Sequence, residues 1–227
     1  MIASIAPQPL DQLRYISNNS DHPFQQTADK AFESMRVARD RFNVGAFVTT
    51  GETGAASAAM DLGARMYIPL TGFAPRGKFN EAGPLKAHHA SVLLEPDEKF
   101  SILTAEEARL ERKTHAPYAR KLTIREAEEL NARHSSAVLV ISAGELALTE
   151  SVDFNRVRLM TDRSNTLVCN LDSDPLEQSA QIRDFLRIRK PWFLNIVGPG
   201  QSLSQVRNYT VYEKVMWILD GSFREAL

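Results

Sequence analysis

The stretch NVGAFVTTGETGAASAAMD, Asn43 to Asp61, decides the fold. An apolar run, Val44–Val48, gives way to small, flexible residues at Thr49–Gly54 and then to an alanine-rich segment, Ala55–Ala64. Alanine is the strongest helix former, so the order predicts strand, tight glycine turn, helix. Such a turn gathers backbone N–H groups at the positive end of the helix macrodipole, where phosphates and other oxyanions can be held. The same turn also serves merely to reverse the chain between a strand and a helix. Both readings stay open for Thr50, Gly51, Glu52, Thr53 and Gly54. In one, their amides and the Thr53 hydroxyl cradle an anion; in the other, Thr53 is a helix cap.

On either side of this stretch the pattern repeats. Strand-like runs at Val44–Thr49, Tyr67–Leu70, Ala137–Ser142, Thr166–Asn170 and Trp192–Val197 are almost continuously apolar, which suits parallel strands covered on both faces. Helices with start signals lie among them. Thr123 and Glu126 form a capping box before Ile124–Arg133, Asp174-Pro175 opens Leu176–Ile188, and Ser202 with Gln205 opens Val206–Leu219. Strand–helix alternation predicts an α/β fold of the doubly wound, Rossmann-like kind, with a mainly parallel sheet of about five or more strands.

Ahead of it, residues 1–42 read as an N-terminal extension. There Asp21 and Pro23 start an extra, amphipathic helix whose apolar positions are Phe24, Ala28, Ala31, Phe32, Met35 and Ala38. Residues 43–227 form the α/β domain, interrupted around 76–121 by a segment that fits neither strand nor helix well, apart from a short helix near Ala105–Arg112.

The bulk figures narrow the function classes. In 227 residues, 24% are charged and the formal net charge is −1, which gives no reason to expect nucleic acid or an anionic membrane as partner. No apolar run approaches membrane-spanning length, and the first residues lack the order of a signal peptide. The single cysteine, Cys169, sits in a strand-like run, reads as a small buried hydrophobe and fits a reducing, cytoplasmic setting. The histidines His22, His88, His89, His115 and His134 show no ligand spacing, and the adjacent His88 and His89 are expected to diverge, so no metal is expected on protein side chains.

With this order of elements, the chain resembles the molybdenum-cofactor carrier family, Rossmann-like proteins in a superfamily that includes the lysine-decarboxylase-like, cytokinin-activating enzymes. The resemblance runs from about Val44 to Leu219. The family's Gly-Gly-Gln-Thr-Gly turn, followed by Val-Asp-Arg-Ala-Ala-Leu-Asp, is matched by Thr50–Gly54 and then Ala55–Asp61. Its Pro-Lys-Gly-Arg is similar to Pro75-Arg76-Gly77-Lys78, its Glu-Asp-Gly-Pro to Glu81-Ala82-Gly83-Pro84, and its Asn to Asn131. Its Gly-Pro-Arg-Glu-Ser resembles the run Gly198-Pro199-Gly200-Gln201-Ser202. Ala56 and Ser57 stand where the family has Asp and Arg, and no Gly-Gly-Thr follows the third strand.

The resemblance implies a non-catalytic carrier, a homodimer or homotetramer, that holds a phosphate-bearing ligand (a molybdenum-cofactor-like pterin or a nucleotide) at the C-terminal edge of the sheet. Site residues on this reading are Thr50, Gly51, Glu52, Thr53, Gly54, Arg76, Gly77, Lys78, Gly144, Thr149, Gly198 and Ser202. The enzymatic alternative is a nucleotide N-glycosidase, a phosphoribohydrolase with Glu150 or Glu145 as its acid/base carboxylate. A third reading is a degenerate relative that works through protein–protein contacts of the leading helix and the 76–121 segment.

Overall fold

The computed structural model describes residues 23–96, 116–143, 165–206 and 209–224. The strands of its main sheet are β1 (Ala46–Val48), β2 (Leu70–Thr71), β5 (Ala137–Ser142), β6 (Thr166–Asn170) and β7 (Phe193–Val197), in the order β2-β1-β7-β5-β6. Every pairing in it is parallel. A short antiparallel hairpin, β3 (Phe79–Asn80) and β4 (Gly83–Pro84), stands apart. The helices are α1 (Pro23–Phe42), α2 (Ala55–Met66), α3 (Ala87–Ala90), α4 (Ala116–Arg133), α5 (Pro175–Arg189) and α6 (Val211–Arg224). The chain is thus a five-stranded parallel α/β sheet with helices on both faces, as the apolar runs imply.

Strand side chains alternate between two helical layers. Phe47, Leu139, Ile141, Leu194 and Ile196 face the α2–α5–α6 layer, packing on Ala58, Ala59 and Leu62 of α2, Ile182 and Leu186 of α5, and Val215, Ile218 and Phe223 of α6. On the opposite face Ala46, Val48 and Phe193 meet Met35 of α1, while Val138 and Val140 meet Ala132 of α4. Each fully buried Phe or Leu in these layers contributes about 1.5–3 kcal/mol relative to exposure. The alanines of α2 let it lie close to the sheet, and Gly63 closer still: a Cβ there would stand 2.6 Å from a methyl of Leu70.

The leading helix lies on the sheet rather than free of it. Met35, Ala38 and Phe42 are buried, Phe32 stacks on Trp192 with ring centroids 5.3 Å apart, and the Arg39 guanidinium lies 4.5 Å over the same indole. Arg36, by contrast, is exposed and pairs with Glu33 and Asp40 on the solvated side.

Three local expectations need correction. The Thr123/Glu126 pair does not start a helix, because α4 begins at Ala116 and Glu126 is buried within it. Ser202 and Gln205 fall in a 3-10 turn, Gln201–Val206, and α6 begins only at Val211. Tyr67 is no strand residue: it closes α2 in the left-handed conformation, φ 58°, and β2 forms at Leu70–Thr71. The Asp174 carboxylate does cap α5, accepting from the Leu176 amide at 3.0 Å. The proposed helix near Ala105–Arg112 lies outside the described residues.

Cys169 is 1% exposed on β6, and burial pushes its thiol up to about 12. Native protein at about pH 8 is therefore expected to resist a water-soluble disulfide reagent and to react fully once unfolded. Prompt labelling of native protein would mean that this edge of the sheet opens.

Candidate functional site

Because β7 inserts between β1 and β5, the loops leaving the C-terminal ends of β1 and β7 lie side by side, where doubly wound sheets place their ligands. The β1 loop is the glycine turn. Its Gly51 and Gly54 take positive φ, 78° and 68°, which only glycine adopts without strain. The Thr49 hydroxyl accepts from the Gly51 amide and the Thr50 hydroxyl from the Glu52 amide, both at 3.4 Å. Leu85 and Leu93 roof the tip: a Cβ on Gly51 would stand 2.7 Å from Leu93 Cδ1. Gly51 is thus covered, and neither it nor Thr50 nor Glu52 lines the cavity described next. The charge of Glu52 acts instead on Glu128, whose carboxyl is raised to about 8 by its burial and by Glu52.

The second half of the turn opens into a cavity of about 760 Å³. Thr53, Gly54 and Ser57 form one wall, and Asn80, Glu81 and Pro84 of the hairpin another. Lys86 and His89 around α3, Gln201 and Ser202 after β7, and Tyr212 and Glu213 of α6 complete it. Gly54 is the N-cap of α2, so no side chain caps that helix, and its first turn reaches the cavity through Ser57. The Ala55 amide is taken by Pro199 O at 3.1 Å, which ties the two loops together. Gly198 fits the same junction: a Cβ there would lie 2.7 Å from Ile141 Cβ and 2.8 Å from Ala55 Cβ.

Between those loops lies an anion supplied by the protein itself. The Glu81 carboxylate, at the tip of the β3–β4 hairpin, accepts from the Thr53 hydroxyl and, at 2.9 Å, from the Ser202 amide. The Gln201 amide donates to Thr53 Oγ1 at 2.9 Å, completing the ring of donors. Gly200 lets the carboxylate approach, since a Cβ on it would lie 2.9 Å from Glu81 Oε1. Burial raises the Glu81 pKa, but hydrogen bonds from Thr53, Ser202 and Gln201 outweigh it and hold the carboxyl below its ordinary value. In the sequence Glu81 stands out only within a motif; its role depends on a hairpin that two-residue strands do not announce.

A second cluster lies one turn further along α2. Asp61 accepts from Tyr212 OH at 2.9 Å and sits 2.9 Å from His89 Nε2, 3.7 Å from His88 Nε2 and 3.8 Å from Lys86 Nζ. His88 and His89 do not diverge as expected. Their rings meet edge to face, centroids 4.2 Å apart, and both reach Asp61. Burial lowers the His89 pKa, outweighing the opposite pull of Asp61.

The remaining sequence candidates have other places. Arg76 pairs bidentately with the fully buried Glu126, at 2.9 and 3.2 Å. Lys78 Nζ donates to Ala90 O at 2.6 Å, and the Gly77 amide to Glu95 at 2.8 Å. These bonds fasten the segment after β2 onto α4 and α3; none of the three residues lines the cavity. Asn131 holds Phe73 through both its amide and its carbonyl, at 2.7 and 3.1 Å. Gly144, Glu145, Thr149 and Glu150 lie outside the described residues.

The fold has a solved counterpart. A crystal structure of a protein named "Putative molybdenum carrier protein", from Syntrophus aciditrophicus SB, superposes with a TM-score of 0.57 at 19% identity, covering 81% of this chain and 96% of that one. At that identity the likeness concerns the fold. A search of curated proteins found no match. Among the described residues, no helix is long and apolar enough to cross a membrane. The sequence matches the circularly permutated YpsA SLOG family over residues 47–220, nearly the whole α/β sheet with its helices, and the chain belongs to that family.

Proposed function

We propose that the cavity beside the glycine turn carries, without chemical change, a small molecule bearing a phosphate or similar oxyanion. The observation that carries this reading is Glu81: the Thr53 hydroxyl and the Ser202 amide already converge on one carboxylate beside the uncapped N-terminus of α2. Donors that hold a carboxylate suit a phosphate oxygen equally well. Lys86 on the same walls can take a further oxygen, whereas the Ser57 hydroxyl already donates to the Glu52 carbonyl at 2.9 Å. A cavity of about 760 Å³ is of the size used for cofactors and nucleotides. The name of the structural neighbour favours a molybdenum-cofactor-like pterin among such ligands. The reading centres on Thr53, which lines the cavity, rather than on Thr50–Glu52, which do not.

Thermal shift with nucleoside monophosphates, pterin phosphates and molybdate tests the reading. A ligand at about a hundred times its Kd stabilises by about 2.7 kcal/mol, several degrees for a domain of this size. A flat response from both the wild type and Glu81→Gln would overturn it.

Glu81 also favours a second reading, in which the internal carboxylate permanently replaces the ligand and the protein works through surface contacts. Self-association as a dimer or tetramer belongs with either reading, since α1 leaves Val37 53% and Phe32 40% exposed. Light scattering decides it.

A further inference from the structure

We infer that His88, His89 and Asp61 form a binding site for one divalent transition-metal ion of the zinc type, set in the wall of the cavity. Their ligand atoms all lie within 4.8 Å of one another, with His89 Nε2 at 2.9 Å and His88 Nε2 at 3.7 Å from the same oxygen, Asp61 Oδ1. Tetrahedral zinc with bonds of about 2.0–2.1 Å spaces its ligand atoms at about 3.3 Å, midway between those two distances. An ion would widen the shorter contact and draw in the longer by a few tenths of an ångström each, and would gather the two imidazole nitrogens, which lie within 4.8 Å of one another, around itself.

The surroundings suit an ion in other respects. Two imidazoles and one carboxylate select zinc and its neighbours over magnesium or calcium, which prefer oxygen alone. Tyr212 OH binds the other oxygen, Asp61 Oδ2, and so fixes the carboxylate with Oδ1 toward the imidazoles, as outer partners of metal ligands do. The ion takes the place of the hydrogen shared between His89 Nε2 and Asp61 Oδ1. Lys86, 3.8 Å from Asp61 Oδ2 and 64% exposed, has the reach to swing away into solvent. Three protein ligands leave a fourth position, and because His89 also lines the cavity, a bound ion lies where an oxygen of the cavity's occupant can reach it.

The inference stands apart from the anion reading and is tested without any added anion. Full-length protein free of tag histidines is stripped with chelator, then titrated with Zn(II) by calorimetry and with Co(II) by visible absorption. One equivalent of each ion is expected, with the intense visible bands of low-coordinate cobalt. His88→Ala is the decisive variant, because its side chain is 61% exposed and its loss leaves the fold alone. It should weaken binding tenfold or more and change the cobalt spectrum, whereas Lys86→Ala should bind as tightly as the wild type or more so. Absence of binding to the wild type, or unchanged affinity and spectrum in His88→Ala, overturns the site.

Discussion

Glu81→Gln tightens binding of an oxyanion-bearing ligand at least tenfold and leaves the protein folded. In the wild type, an incoming phosphate meets a carboxylate already seated on the Thr53 hydroxyl and the Ser202 amide. Two like charges at about 4 Å repel by about 4 kcal/mol at an effective dielectric of about 20. Glu81 is half-buried and solvent screens much of this, so a tenfold gain, about 1.4 kcal/mol, is a conservative figure. The glutamine carbonyl can still accept from Thr53 and Ser202, and losing the charged acceptor costs about 1–2 kcal/mol of stability.

The pH dependence follows with a definite sign. The folded carboxyl is held below its ordinary 4.5, so its contribution to stability is fully present above that value and fades as pH falls through the lower folded one. Glu81→Gln removes that share of the acid limb. Calorimetric titration with a nucleoside monophosphate, with acid unfolding in parallel, checks both halves. Equal or weaker anion affinity in the variant would show that the carboxylate and the ligand do not share the slot.

Gly54→Ala is expected to destabilise the protein by about 3 kcal/mol or more. The backbone there has φ 68° and ψ −116°, outside the range of residues with a side chain. A Cβ would also lie 2.5 Å from Pro199 O and 2.8 Å from Gly200 C, backbone atoms that cannot turn aside. Relief of that clash means separating the β1 and β7 loops, which would also move Thr53 away from the Gln201 amide. Gly83→Ala separates the two causes: φ is 118° there, but nothing lies within 4 Å of the added atom, so only the backbone strain of about 1–2 kcal/mol is expected. Chemical denaturation of both variants is the measurement, and a Gly54→Ala protein within about 1 kcal/mol of the wild type would deny the close approach of the two loops.

Much of the frame was legible in the residues. Val44–Thr49, Ala137–Ser142 and Trp192–Val197 are short, mainly apolar runs, the pattern of a strand covered on both faces, whereas Thr166–Asn170, read the same way, became the edge strand β6 with Val168 45% exposed. The alanines after Gly54 could only be a close-packed helix. Start signals did less well. Thr123 with Glu126, and Ser202 with Gln205, have the capping-box spacing, yet Glu126 is drawn into an ion pair with Arg76 and Ser202 into a contact with Glu81. A local pattern of two polar residues is outweighed when a buried charge elsewhere in the chain needs one of them.

The site divides along the same line. From the sequence alone came the parallel sheet, its helical layers and the position of the glycine turn, because hydrophobic period and helix propensity act within a few residues and are written in consecutive letters. The tertiary structure alone decided that Leu85 and Leu93 cover Gly51 while Thr53 faces the cavity, that Glu81 sits on the Thr53 hydroxyl and the Ser202 amide, and that His88 and His89 converge on Asp61. Those contacts, together with that of Tyr212 on Asp61, join residues from 27 positions apart (Asp61 and His88) to 151 (Asp61 and Tyr212). No local rule encodes such distances: they are set by where packing brings a hairpin, a short helix and the start of α6 against the first turn of α2.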